Sequence, residues 1–374
     1  MIRGRLLTLV LIVFWLFGAV FAGLGQQATA PAPIGKLVEI KVPAPSLKNN
    51  LLGEPNELTV SVYLPPSYAA APMRRYPTLY LLHGFLGNDK SWTLNGYQGM
   101  NLASVMDGHI REGKLRELIV VIPNSRSNYG GAFYINSKVT GNWEDYIYRD
   151  LVQYVDEKYR TIPTAESRGI AGHSMGGYGA LVLGMKHPEV FSVVYALSPC
   201  CTALEGDMSA TNPVWQKVLR LTSKEQLKLR PQAFDEFYTI ALVALAAAFS
   251  PNPERAPFYV DFPFKEAQVE ASTVGLEKNQ AAYESWRARM PLYMIDEHQK
   301  NLKKLRGIFI DYGEKEQFSH IVIGGREISK SLAERSIPHV FEVYAGGDHS
   351  NKIRERFERR LLPFFSERLA PASP

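Results

Sequence analysis

The chain has 374 residues, of which 46% are hydrophobic and 21% charged; 42 Lys and Arg stand against 37 Asp and Glu, a formal net charge of +5. That composition excludes a disordered or fibrous protein and allows a substantial buried core. Removing residues 1–22 takes away Arg3 and Arg5 and no acid, so the charge falls to +3, too weak to call for nucleic acid or another polyanion.

In chain order, Arg3 and Arg5 precede an apolar run, Leu6 to Ala22, that ends in small or apolar residues and reads as a cleaved export signal. A retained membrane anchor is the competing reading, since such a run is at the short limit of a span. No cysteine follows the run, which speaks against a lipoprotein. Residues 23–35, rich in Gly, Gln, Ala and Pro, read as a linker. The body, 36–370, then offers eight strands at 36–42, 58–64, 77–83, 118–123, 167–172, 191–197, 307–312 and 339–344, with helical stretches between most from the third onward. The first two adjoin without a helix and predict an antiparallel start to an otherwise parallel sheet. The expected fold class is α/β, a doubly wound, mostly parallel eight-stranded sheet, with ligands at the C-terminal strand ends. Residues 201–304 break the alternation; they read as a mostly helical cap inserted after the sixth strand, with helices from Pro231 to Phe249, Gly275 to Arg289 and Leu292 to Lys304. The only cysteines, Cys200 and Cys201, are adjacent and give no disulfide framework.

The chemistry concentrates at strand ends. Gly172-His173-Ser174-Met175-Gly176 is a G-x-S-x-G pentapeptide between a strand and a helix, a context in which the serine hydroxyl stands exposed on a sharp turn, so Ser174 is the candidate nucleophile. A glycine turn with an incidental serine is the plainer alternative, disfavoured by the strand and helix on the correct sides. The turn His83-Gly84-Phe85-Leu86-Gly87 closes the third strand, where a backbone N–H can serve an oxyanion; Phe85 and Met175 are the candidate donors. His83 and His173 read as structural histidines.

A serine needs a base and the base an orienting acid, in the order Ser, acid, His for this architecture. Of the histidines after the seventh strand, His320 lies at a helix start and His339 at a strand start. His349, in the glycine loop Gly346-Gly347-Asp348-His349, can reach Ser174. Among Asp311, Glu314 and Glu316 we favour Glu316, which lies beyond Gly313 in the loop; Asp348 reads as a loop or capping residue. The aromatic residues Tyr129, Phe133, Tyr134 and Trp143, and Phe258, Tyr259 and Phe262 in the insertion, are candidate pocket walls.

These motifs, with Leu-Leu-His-Gly-Phe-Leu-Gly at 81–87, Gly-Asn-Trp-Glu-Asp-Tyr-Ile at 141–147, Gly-His-Ser-Met-Gly-Gly-Tyr-Gly-Ala-Leu at 172–181 and Ile-Asp-Tyr-Gly-x-x-Glu at 310–316, resemble the Putative esterase family of α/β-hydrolases. That family includes S-formylglutathione hydrolases, feruloyl esterases, enterochelin-type esterases and mycolyltransferases. The resemblance covers about 36–200 and 305–366, and it implies an acid three positions after Gly313, namely Glu316. The export signal and the long 201–304 segment depart from the family's cytosolic thioester hydrolases, which puts glutathione thioesters in doubt.

The expected function is an exported serine carboxylic-ester hydrolase, periplasmic or secreted, acting on a small-molecule or polysaccharide-linked ester. It is expected to use no cofactor and no metal, to bind no nucleic acid, and to have no stable membrane insertion after signal cleavage. Two alternatives stand beside it: an acyltransferase moving the acyl group to a sugar hydroxyl, and a non-catalytic binding protein on a hydrolase fold.

Overall fold

The computed structural model describes residues 34–270 and 273–371; the expected export signal (1–22) and the linker up to residue 33 lie outside the described residues. Eight strands form one sheet: β1 (Lys36–Pro43), β2 (Glu57–Leu64), β3 (Thr78–Leu82), β4 (Ile119–Pro123), β5 (Arg168–His173), β6 (Val193–Leu197), β7 (Gly307–Gly313) and β8 (Val340–Tyr344). Their spatial order is β1-β2-β4-β3-β5-β6-β7-β8. β2 runs antiparallel to both neighbours, β1 and β4, and every other pairing is parallel. This is the mostly parallel eight-stranded α/β sheet predicted by the strand runs, in the α/β-hydrolase architecture that the resemblance implied.

Strand side chains alternate between two hydrophobic clusters, as the two-residue period of a pleated strand requires. Tyr80, Leu82, Ile119 and Val121 join one; Leu79, Leu81, Val120 and Ile122 join the other. Because helices cover both faces, these strands can be apolar at every position and still be satisfied. One face is covered by α1 (Leu102–Arg111) and the C-terminal residues 353–369, the other by α2 (Val152–Lys158) and α3 (Met175–Lys186).

Between β6 and β7 the segment is not helical throughout. It holds α4 (Phe234–Phe249), α5 (Gln280–Arg287) and α6 (Pro291–Leu302), and an antiparallel hairpin pairing Phe264–Glu270 with Thr273–Lys278. The hairpin corrects only the start of the expected helix over Gly275 to Arg289, of which Gln280–Arg287 is helical. Val274 and Leu276 alternate with Gly275 and Glu277, a period of two that so short a window hid. Helix α4 carries apolar side chains nearly all round, and Tyr238 to Phe249 are all buried, so it is packed under protein on every side. Helix α7 (Ser319–Glu334) links β7 to β8. Among the described residues no helix is long and apolar enough to cross a membrane.

Candidate active site

Ser174 sits between β5 and α3 at φ +56° and ψ −114°, a region that costs a non-glycine residue on the order of 1–3 kcal/mol. The surroundings hold it there. Its N–H donates to Leu197 O at 2.9 Å, and its carbonyl accepts from Tyr178 N at 2.9 Å and Cys200 N at 3.2 Å. The flanking glycines are required by close approach: a Cβ on Gly172 would lie 2.4 Å from the Gly176 backbone, and one on Gly176 would lie 2.4 Å from Leu82 O.

The three carboxylates after β7 have separate fates. Asp311 is fully buried and accepts from Tyr195 Oη at 2.6 Å and Arg356 Nε at 2.9 Å; burial raises its pKa to about 6 despite the arginine, and it serves the packing of the sheet. Glu314 accepts the Gly346 amide at 3.0 Å and ties down the loop after β8. Glu316 Oε2 lies 2.9 Å from His349 Nδ1, while its Oε1 accepts from Phe318 N at 3.2 Å, and its side chain is 0% exposed. The loops that present this pair are laced together: Lys315 N donates to Gly347 O at 2.6 Å, and His349 N to Gln317 Oε1 at 3.1 Å. Asp348 accepts from Ser350 N and Asn351 N in its own turn.

His349 and Ser174 line one narrow cleft together with Phe85, Phe133, Cys200, Cys201, Phe237 and Phe318 among others. The Phe318 ring stands edge-on to His349 at 4.7 Å between centroids. Phe85 follows Gly84, whose N–H donates to Tyr97 Oη at 2.7 Å, and precedes Leu86, whose N–H donates to Gly130 O at 3.0 Å. Met175 opens α3, where the first amides of a helix have no acceptor within the helix and the macrodipole favours negative charge. The side chains of Phe85 and Met175 both pack on Gly131.

The other histidines of the motifs are structural. His83 Nε2 accepts from Ser125 N at 2.8 Å and its Nδ1 donates to Gly84 O at 2.8 Å; burial lowers its pKa to about 4, so the ring is neutral and joins the turn after β3 to the loop after β4. His173 Nε2 donates to His349 O at 2.8 Å, and burial holds its pKa well below the usual imidazole value. It ties down the backbone of the loop that carries His349. His339 bonds Ser329 Oγ at 2.8 Å just before the start of β8 and is not among the cleft's lining residues.

The aromatic expectations divide. Phe133 lines the cleft, whereas Tyr129, Tyr134 and Trp143 are buried with their polar atoms on Phe258 O, His83 O and Thr140 O. Phe258, Tyr259 and Phe262 are not among its walls; Phe262 packs on Trp215 instead. The insertion contributes Phe237, Ala241 and Leu245, an i, i+4, i+8 stripe of α4, with Tyr238 and Met208. Sequence reasoning missed this stripe because α4 is apolar on all sides, so no periodicity marks which face meets the cleft. It also missed a second pair at the cleft, Asp207 and His320, whose Oδ1 and Nδ1 are 2.6 Å apart. Among the described residues no group of three or more His, Cys, Asp or Glu side chains is arranged to hold a metal ion.

Comparison with known proteins bears on the family and the fold. A region of 136 residues, 36% of the chain, is 32% identical to an endo-1,4-beta-xylanase/feruloyl esterase of Xylanibacter ruminicola, and the match spans 18% of that relative's length. A ferulic acid esterase structure superposes with a TM-score of 0.59 at 20% identity, covering 90% of this chain and 99% of that one. An S-formylglutathione hydrolase from Agrobacterium tumefaciens gives 0.58 at 17% identity, covering 91% and 98%. Both share the fold of the chain described here. Residues 54–364 match the model of the family described as Putative esterase, and the chain belongs to that family.

Proposed function

We propose that the protein is an exported serine hydrolase of carboxylic esters, with carbohydrate-linked esters as its substrates. The observation that carries this reading is the Glu316–His349 pair at 2.9 Å opening onto the cleft that Ser174 lines. In the proposed reaction Ser174 Oγ attacks the ester carbonyl carbon while His349 Nε2 takes its proton. Glu316, buried and bonded to Nδ1, fixes the tautomer and offsets the imidazolium charge. The Phe85 and Met175 amides donate to the carbonyl oxygen as it becomes an oxyanion, each such donor contributing about 10²–10³ in rate. His349 returns the proton to the departing alcohol, leaving an acyl-serine. Water then repeats the sequence, and the acid is released.

Export is supported by the apolar Leu6 to Ala22 run behind two arginines. The carbohydrate-linked alcohol is supported by the name of the Xylanibacter relative, which couples a xylanase with a feruloyl esterase. Turnover of a chromogenic short-chain ester, with and without sugar acceptors, tests the reading. Release of free acid at a rate independent of acceptor supports hydrolysis, acyl transfer to the sugar favours a transferase, and no acylation of Ser174 by a phosphonate probe overturns both.

A further inference from the structure

Between the insertion and the core lies a second recess that the proposed reaction leaves unused. Asn136 and Glu144 line it from the stretch after β4, Tyr178 and Lys186 from α3, Arg289 from the junction of α5 with α6, and Met294 from α6. It shares no lining residue with the Ser174 cleft. It nonetheless begins one turn of α3 away, since Tyr178 N donates to Ser174 O at 2.9 Å and Tyr178 Oη to Arg289 O at 2.7 Å.

Arg289 brings a charge to this recess that no acid balances. Its guanidinium turns back on the end of α5, where both hydrogens of Nη1 are used, on Ser285 O at 2.9 Å and on Ser285 Oγ at 2.7 Å. Nε and Nη2 have no hydrogen-bond partner among the described residues. The two most buried arginines are matched differently: Arg168 bonds Asp156 at 2.7 Å, and Arg356 bonds Asp311 at 2.9 Å. Burial draws the Arg289 pKa below the usual guanidinium value, with only Tyr178 opposing it, yet an arginine stays charged in a protein. The free nitrogens are also reachable: Arg289 is half-buried and both keep accessible surface, whereas Arg168 Nε is sealed without a partner.

Glu144, the acid of the recess, is already shared by Lys186 Nζ at 2.6 Å and His187 Nε2 at 2.9 Å. An ammonium has three donors, so Lys186 keeps two for another acceptor. Two cations thus face one acid, an excess of one positive charge. That excess matches one carboxylate, while a phosphate carrying about −1.5 to −2 would leave surplus negative charge beside Glu144. Geometry points the same way. The Nε–H and the nearer Nη2–H of a guanidinium are parallel, and that edge takes the two oxygens of a carboxylate together.

We propose that Arg289, with Lys186, forms a binding site for the carboxylate of a small acid, separate from the catalytic cleft. A free short-chain acid and an acidic sugar both carry that group, and the test separates them.

The test is an NMR titration of the purified chain at constant ionic strength, following arginine Nε–H and backbone amide signals as sodium acetate, sodium glucuronate, sodium phosphate or glucose is added. At least one of the two carboxylates should shift one arginine Nε–H signal saturably, with a dissociation constant in the millimolar range or tighter. Glucose should give no such shift and phosphate a weaker one, and the tighter carboxylate names the source. In Arg289→Lys, which keeps a cation and a donor for Ser285 but loses the paired edge, affinity should fall at least tenfold. No saturable shift with either carboxylate, phosphate binding as tight as the better carboxylate, or unchanged affinity in a folded Arg289→Lys overturns the proposal. The wild-type arms need no variant, so an Arg289→Lys chain that does not fold still leaves the proposal open to refutation. No arm reads ester turnover, so its failure and that of the esterase reading are separate results.

Discussion

Two carboxylate–histidine pairs each bring their histidine to the lining of one cleft, beside Phe318, and they differ in what fixes them. The Glu316–His349 pair hangs from loops that leave the C-terminal ends of β7 and β8, and the backbone bonds between Lys315 and Gly347 and between Glu314 and Tyr344 lock those loops together. The Asp207–His320 pair joins the insertion to the first turn of α7. In both pairs the carboxylate takes the ring's Nδ1, and both rings are among the cleft's lining residues. The chemistry of the pairs is the same, so position sets them apart: His349 comes from the loop after β8, whereas His320 opens α7, and the Phe318 ring lies 4.7 Å from the first and 6.0 Å from the second between centroids.

The most severe way to break this comparison is Ser174→Ala. If the Glu316–His349 pair acts through Ser174, turnover should fall on the order of 10⁶-fold with the melting temperature retained. A folded variant that keeps a tenth of the activity would leave neither pair with a catalytic role. Next in size is Glu316→Gln, expected to lower kcat by about 10⁴, set against Asp207→Asn, expected to change phenyl acetate turnover by less than tenfold. Equal losses at the two carboxylates would erase the distinction drawn here, and a loss at Glu314→Gln matching that at Glu316→Gln would move the orienting role along the loop.

His83 sharpens the comparison from another side, because it is a buried histidine with no carboxylate partner. Its folded pKa is about 4 against 6.5 for the free side chain, so between those values the unfolded chain binds more protons. Stability from this group is therefore present above pH 6.5 and is lost as pH falls toward 4, by about 3 kcal/mol. The stability advantage of wild type over His83→Gln, read from denaturant melts, should shrink across that window. A gap that widens on acidification contradicts the neutral, doubly bonded ring. The smallest effect concerns the walls. Phe237→Ala should shift preference among acyl groups by up to about tenfold, with phosphonate labelling of Ser174 retained, while Phe258→Ala should alter stability more than preference. The reverse outcome would place the acyl group elsewhere in the insertion.

Local pattern was enough to mark all eight strands: β3, β4 and β6 are short apolar runs buried throughout, while the edge strands β1 and β8 mix apolar with charged residues and are partly exposed. It was enough to single out Ser174, because the glycines at 172 and 176 are demanded by backbone contacts within the same turn and with Leu82. His349 and the loop carrying Glu316 were legible for the related reason that this fold delivers side chains from strand ends. Residues 275–278 belong to a hairpin strand and not to the start of the expected helix, since the pairing with Phe264–Glu270 is a contact between two short segments of mixed composition and not a property of either.

Amino-acid sequence by itself marked the strand segments, their mostly parallel arrangement and a short list of candidate site residues, all read from residues close together in the chain. Tertiary structure alone decided which carboxylate faces which histidine: Asp311 is drawn to Arg356 and Tyr195, Glu314 to the Gly346 amide, and Asp207 to a histidine more than a hundred residues away. A carboxylate's partner is chosen by burial and by the donors that packing brings within about 3 Å, and no local signal in the chain encodes that choice.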